Sequence, residues 1–314
     1  MNLEAQEILE FAQRKIAVVD RIIHTNEVLV PKSDEQDARM RELVLTHVSD
    51  IRITGIENLR TAIQAANEAG VVLATERNHQ SYFDIATMRA ALESEGEKVF
   101  ADTQVFPAGL EIYELYRGTH FPANEISVMV IAPQDSRTIA QGLNGNAFEF
   151  TNDQIEILKA CSQALTRLTR LSLRALTEEV AKTRRLCFFP ETEFPPVGGL
   201  TQRPKPEVAP YYKKPDQINL PIRTDGPHLI FGPDTINSPL KPKTFVEQVR
   251  IGRYFSNAQV EKALAAVPEN FKIYYQVNAA DIAFKPVAYL NRDRVDPSLH
   301  QFFDALPSVY DYAA

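Results

Sequence analysis

The sequence predicts an α/β fold: a mixed, largely parallel sheet flanked by helices, with an N-terminal helical region. Short apolar runs typical of buried strands alternate with segments of helical periodicity from about residue 71 onward. Before that point the apolar residues recur mainly at helical spacing. We therefore expect an N-terminal helical region over 1–70 and one α/β domain over 71–314.

Three helices are predicted in the N-terminal region. Residues 3–29 carry an apolar stripe, and Ser33, with a glutamine three residues later, forms a capping pattern that opens a second helix to about His47. A third helix over 56–69 ends at Gly70, a residue type common just after helices. Mixed charges on the first helix favour packing of its stripe against protein over binding to an anionic membrane surface.

Strands and helices alternate in the predicted α/β domain. Helical periodicity predicts helices over 84–95, 153–183 and 257–267. Apolar runs predict strands at 71–74, 98–101, 127–132, 186–189, 218–222, 228–231, 245–251 and 271–277.

Composition excludes several classes of protein. The 314 residues carry a formal net charge of -7, which argues against a nucleic-acid partner. Two cysteines cannot form a disulfide framework and fit a reducing compartment. No stretch approaches the ~20 apolar residues that span a bilayer. We expect a cytoplasmic protein, with peripheral contact to a membrane as a further expectation.

Charge and proline are unevenly placed along this acidic chain. Residues 182–253 hold 12 Lys and Arg against 7 Asp and Glu, and 12 of the 20 prolines fall between Pro190 and Pro242. Because proline interrupts helices, this window should form short strands and irregular loops. A basic, loop-rich window suits an anionic ligand, although a solvated basic surface is the alternative.

A histidine and an aspartate follow the first predicted strand of the α/β domain, in the segment RNHQSYFD at 77–84. On one continuous helix, residues five apart are separated by ~140°, so His79 must precede the helix for its ring to meet Asp84. An imidazole held by a carboxylate can act as a general base. The alternative is an ordinary loop histidine before an aspartate that complements the helix dipole.

This segment resembles the first signature of the glycerolipid acyltransferases, in which Asn-His-x-x-x-x-Asp follows a strand. FPE at 189–191 resembles the start of that family's third signature, Phe-Pro-Glu-Gly-Thr-Arg. LPI at 220–222 is similar to the fourth, and VRIG at 249–252 is similar to a family strand that ends in glycine. The resemblance covers about residues 70–255, with the motifs in the family's order.

The resemblance implies transfer of a fatty acyl group from an acyl-CoA or acyl carrier protein (acyl-ACP) thioester to a hydroxyl. The acceptor would be of the glycerol-3-phosphate or lysophospholipid type. His79 would be the general base and Asp84 would orient it. Backbone N–H groups near Ser81 or Thr192 would bind the oxyanion. The thioester donor is the expected partner and co-substrate, with no other cofactor and no metal.

Two departures from the family pattern affect the expected acceptor. Thr-Glu-Phe at 192–194 replaces Gly-Thr-Arg, so the arginine that would meet an acceptor phosphate is absent there. Arg203 and Lys205 are candidate substitutes. The family's second signature, which carries an arginine after a hydrophobic strand, is also poorly matched, and Arg137 is the nearest candidate for that arginine. Each of the three has a solvated surface cation as its alternative. Glu191 is expected to hold acceptor hydroxyls or to order its loop.

Two other functions therefore stay open. One is an acyltransferase of the same family that acts on an acceptor without phosphate, such as a specialised metabolite. The other is a non-catalytic relative that binds acyl lipids.

Overall fold

The computed structural model describes residues 3–30, 34–79, 84–110, 128–131, 138–140, 143, 150–191, 200–226 and 245–313. The helices in these ranges are α1 (Leu3–Thr25), α2 (Asp34–His47), α3 (Ile56–Ala69), α4 (Asp84–Ser94), α5 (Lys98–Thr103), α6 (Asn152–Thr183), α7 (Asn257–Ala266), α8 (Glu269–Tyr275), α9 (Ala279–Tyr289) and α10 (His300–Ala305). The strands are β1 (Leu29–Val30), β2 (Val48–Thr54), β3 (Val72–Arg77), β4 (Phe106–Gly109), β5 (Val128–Ile131), β6 (Arg185–Phe188), β7 (Gln217–Asp225), β8 (Phe245–Ile251) and β9 (Phe255–Ser256). A 3₁₀ helix spans Pro206–Lys213.

The chain divides into two compact units, each made of two chain segments. The first comprises Met1–Gln36 and Val105–Thr183, and the second comprises Asp37–Gln104 and Arg184–Ala314. The sequence places a boundary at residue 70 instead. The difference arises because β2 pairs in parallel with β8, which makes the segment before residue 70 part of the second unit's sheet.

In the first unit, α1 packs against the long helix α6. A three-stranded sheet in the order β1-β5-β4 accompanies them, with β5 antiparallel to β1 and parallel to β4. The apolar stripe of α1 lies in this unit's core, which contains Leu9, Ala12, Val19 and Ile22 together with Leu158, Cys161, Leu165 and Leu168 of α6. Across the described ranges, no helix is both long enough and apolar enough to cross a membrane.

The second unit contains a sheet in the order β2-β8-β7-β3-β6. Neighbouring strands on this path are parallel except for the antiparallel pair of β7 and β8. Helices α3 and α4 contact the sheet, as does α9, which also contacts the 3₁₀ helix and α7. The predicted mixed, largely parallel sheet flanked by helices is confirmed.

A proline in the middle of β7 is accommodated by an irregularity in the neighbouring strand. Ile222 pairs with Ile251 of β8, whereas Asn219 pairs with Phe255 of β9, so the facing chain has one extra residue. At this bulge Gly252 donates its N–H to the Pro221 carbonyl at 2.9 Å. A Cβ at Gly252 would lie 2.8 Å from Pro221 Cγ, which explains why glycine stands there.

Three predicted elements differ from the structure. The N-terminal region is not all helical, because β2 lies at 48–54, where apolar and polar residues alternate and fit a sheet edge. The predicted strand at 98–101 is helix α5, which buries Phe100 and leaves Val99 78% exposed. The predicted strand at 271–277 lies mostly in helix α8, which is followed by Gln276 in the left-handed conformation.

The other predicted elements agree with the structure to within a few residues. Helix α3 and its Gly70 cap lie where the sequence places them, with Gly70 at a φ of 68°. Helix α6 and strand β8 also lie at their predicted positions. The predicted strand at 228–231 lies outside the described residues.

Candidate functional site

The candidate site lies at the carboxyl ends of three parallel strands. Strand β3 is the central one of these and pairs in parallel with β6 on one side and with β7 on the other. The chain leaves β3 at Asn78 and His79, and it leaves β6 at Phe189. In open α/β sheets this is the edge at which ligands bind.

His79 and Asp84 form the pair that the sequence predicts. His79 Nδ1 lies 2.9 Å from Asp84 Oδ2. Asp84 is the first residue of α4 and His79 precedes the helix, as the five-residue separation requires. The Asp84 side chain is 2% exposed and that of His79 is 17% exposed. An ionised carboxylate only accepts, so Nδ1 carries the proton and Nε2 is the basic nitrogen.

Two neighbours fix the position of the histidine. The imidazole stacks on Phe189, with ring centroids 4.4 Å apart and an interplanar angle of 26°. The buried Asn78 side chain donates to the Thr224 carbonyl and accepts from the Thr224 N–H, both at 2.8 Å. These two bonds extend the pairing of β3 with β7 by one step, so the backbone before His79 is held to the sheet.

Glu191 joins the histidine segment to the loop that begins at Leu200. Its Oε2 accepts the His79 backbone N–H at 2.7 Å, and its Oε1 accepts the Gln202 backbone N–H at 2.6 Å. Burial raises the pKa of Glu191 to about 8, although the two backbone hydrogen bonds and the charge of Arg223 oppose this shift. The contacts correspond to the loop-ordering role expected of this residue, and they engage both of its oxygens.

The predicted substrate cations have different surroundings. Arg203 donates to the buried carboxylate of Asp281 from Nε at 2.6 Å and from Nη2 at 2.8 Å. One bidentate edge of its guanidinium, formed by Nε and Nη2, is therefore bound to a carboxylate of the protein itself. Lys205 is partly exposed, and its backbone N–H donates to the Pro190 carbonyl at 2.8 Å. Arg137 lies outside the described residues, as do the predicted oxyanion donors at Ser81 and Thr192.

An ion network at the end of β7 was not identified from the sequence. Arg223 is fully buried and contacts Asp225 through Nε and Nη2, at 3.1 and 3.0 Å. Arg250 and Asn291 also donate to Asp225 Oδ2, at 2.6 and 2.8 Å. Burial alone would raise the pKa of Asp225, but Arg223 and the other two donors lower it below its usual value. The only signal in the sequence was the alternation of polar and apolar residues along QINLPIRTD.

Three more buried groups lie close to the site. Glu76 of β3 is completely buried, and burial raises its pKa well above the usual value, as it also does for the neighbouring Tyr212. Burial raises the pKa of the Cys187 thiol to about 11, which agrees with the expectation of a core residue in a strand.

The described parts of the chain contain no group of three or more His, Cys, Asp or Glu side chains that could hold a metal ion. Comparison of the sequence with protein-family models and with curated proteins finds no match. The family resemblance therefore stays a prediction, carried by the motif residues.

Proposed function

We propose that the protein is an acyltransferase that moves a fatty acyl group from an acyl-CoA or acyl-ACP thioester to a hydroxyl. The observation that carries this proposal is the 2.9 Å contact between His79 Nδ1 and Asp84 Oδ2 at the carboxyl edge of the sheet. The pair supports general-base chemistry, and the order of the motifs in the sequence supports acyl transfer as the reaction.

In the proposed mechanism, His79 Nε2 removes the proton of the acceptor hydroxyl while the hydroxyl oxygen attacks the thioester carbonyl carbon. Asp84 stabilises the imidazolium that forms. The tetrahedral intermediate then collapses with cleavage of the C–S bond. The leaving thiolate takes the proton back from His79, so that the products are an ester and a free thiol.

The structure of the cationic residues bears on the acceptor. A glycerol-3-phosphate or lysophospholipid acceptor needs a cation at its phosphate. Within the part of the chain that the structure describes, Lys205 is our candidate for that role. The bidentate contact of Arg203 with Asp281 instead favours a second candidate, the same reaction on an acceptor without phosphate. For either acceptor we propose a cytoplasmic setting with peripheral contact to a membrane, in keeping with the free thiols of Cys161 and Cys187.

The proposal is tested by measuring thiol release from acyl-CoA and acyl-ACP in a screen of phosphorylated and unphosphorylated hydroxyl acceptors. We expect His79→Ala to lower acceptor-dependent turnover by about 10²- to 10⁴-fold, since a general base contributes that much. Asp84→Asn is expected to lower it as well, because an amide in place of the carboxylate would favour the other imidazole tautomer.

The matched control is His24→Ala, which removes an exposed histidine from α1 in the other unit. It should leave turnover unchanged. Turnover that survives His79→Ala would exclude the catalytic proposal. Turnover that depends on His79 but appears only with unphosphorylated acceptors would select the second candidate.

A further inference from the structure

The loop at 200–205 connects the candidate site with the C-terminal helices of the same unit. On its inner side, the Gln202 N–H binds Glu191, whose other oxygen binds the His79 N–H. On its outer side, the Thr201 backbone donates to the Arg294 carbonyl at 2.8 Å and accepts from the Asp296 N–H at 3.0 Å. The backbone of His79 is therefore two hydrogen bonds away from this loop.

Arg203 attaches the loop to helix α9. Besides its two bonds to Asp281, its Nη2 donates to the Gln276 carbonyl at 3.2 Å, and its guanidinium lies 4.4 Å from the centroid of the Phe302 ring. Planar guanidinium groups fix geometry in this way, because two parallel N–H bonds and a stacked ring leave little freedom.

Asp281 is suited to hold a guanidinium. It is fully buried in the first turn of α9, where the helix dipole favours a negative charge. Its Oδ2 also accepts the Asn278 N–H at 2.9 Å, as part of a capping box. A buried helix terminus thus provides a side-chain anchor for the loop, in addition to the backbone bonds of Thr201.

We propose that Asp281 is a positioning residue for His79, acting through Arg203, the adjacent Gln202 and Glu191. The chain of contacts runs from the start of α9 through Arg203 and the loop to the backbone of the base. Misplacement of a catalytic group by about 1 Å can cost 10²-fold in rate, so an anchored backbone is of direct use to a general base. The proposal rests on the proposed function only in taking His79 as that base.

The test is amide hydrogen exchange, measured residue by residue by NMR on the full chain. Arg203→Lys keeps the charge but loses the paired N–H donors, and Arg203→Ala removes both. We expect exchange at the His79 amide to accelerate by about tenfold in Arg203→Ala, and by less in Arg203→Lys, because its hydrogen bond to Glu191 is loosened. The Leu73 amide, which donates to the Arg184 carbonyl within the sheet, should not change.

Arg292→Ala is the matched control, because it breaks an exposed ion pair with Asp304 in the same unit. It should leave the His79 amide unchanged. Equal acceleration at His79 and Leu73 would indicate global destabilisation and overturn the proposal, and so would an unchanged His79 amide in a folded variant. If Arg203→Ala does not fold, Arg203→Lys decides the question.

The failure of this proposal is distinguishable from the failure of the proposed function. If the wild-type chain turns over no thioester but the His79 amide responds to Arg203, the positioning role stands and the acyltransferase fails. If turnover depends on His79, Arg203→Lys should lower kcat and leave KM for the thioester unchanged. If turnover depends on His79 but kcat is the same in Arg203→Lys and in the wild type, the positioning role alone is overturned.

Discussion

Both faces of β7 are buried, yet they carry opposite kinds of side chain. Leu220 and Ile222 belong to the apolar cluster that also contains residues of α3, α4 and α5. The alternate positions carry Gln217, Asn219 and Arg223, which are 2% exposed or less. Since successive side chains of a strand point to opposite faces, β7 has one largely apolar and one polar buried face.

The polar face is held together by directed bonds. Gln217 donates to Asn219 and Asn219 donates to Asn257 of α7, both at 2.7 Å, while Arg223 donates to Thr201 at 2.8 Å. An apolar face tolerates substitutions that keep the volume, whereas a network of directed hydrogen bonds specifies one arrangement of donors and acceptors. The difference teaches that β7 specifies the position of its partners on its polar face and gains stability chiefly by burial on its apolar face.

The largest expected effect is at Arg223. Replacing it with Met leaves the partly buried Asp225 with fewer cations, and we expect a loss of about 3 kcal/mol in the free energy of unfolding. Arg250→Met removes the second arginine of the same carboxylate, and because Arg250 is 28% exposed we expect a loss below about 1 kcal/mol. Urea unfolding of both variants measures the difference. Equal losses in the free energy of unfolding would show that the ion pair of buried Arg223 stabilises the fold no more than that of the more exposed Arg250.

The next prediction compares neighbours on opposite faces. Leu220→Ala opens an apolar cavity and should cost about 3 kcal/mol. Asn219→Ala leaves Gln217 Nε2 without its acceptor and Asn257 Oδ1 without its donor, and it should cost about 2 kcal/mol. Both wild-type side chains are fully buried, so each variant is the control for the other in urea unfolding.

A double-mutant cycle sharpens this comparison. Asn257→Ala should couple to Asn219→Ala by about 1 kcal/mol, because the two side chains share a hydrogen bond, and it should add independently to Leu220→Ala. Equal coupling with both neighbours would mean that the polar face is no more specific than the apolar one.

The sequence predicted the parts of this arrangement that depend on local pattern. His79 and Asp84 are five residues apart, so their meeting follows from a strand, a turn and a helix start. The strand at 218–222 was also predicted, but its alternation is more typical of a face open to water. That this face is covered depends on α7 and α9, whose packing against β7 no local pattern encodes.

The role of Arg203 was beyond sequence analysis for the same reason. Its partner Asp281 lies 78 residues further along the chain, beyond the range of the family resemblance. As a basic residue in a basic window, Arg203 looked like a group for an anionic substrate. A count of charges along the sequence cannot distinguish an arginine that binds a ligand from one that forms an ion pair with a carboxylate of the protein.

The last prediction concerns pH, because the charge of Arg223 opposes the effect of burial on the pKa of Glu191. Burial raises the pKa of Glu191 from its usual 4.5 to about 8, so between these values the folded chain binds a proton that the unfolded chain has lost. The protonated Glu191 side chain therefore makes its full contribution to stability below pH 4.5. This contribution falls by about 1.4 kcal/mol per pH unit as the pH rises toward 8.

Glu191→Gln should remove this part of the pH dependence of the free energy of unfolding, measured by urea unfolding at about pH 5.5, 6.5 and 7.5. Part of the slope should survive, because the pKa of Glu76 is raised as well. Glu261→Gln, an exposed change on α7, should leave the full slope in place.

A slope that is the same in Glu191→Gln and in the wild type would mean that Glu191 is ionised in the folded chain. The hydrogen bonds from His79 and Gln202, together with Arg223, would then outweigh burial, and the polar face would stabilise a buried anion beside the candidate base.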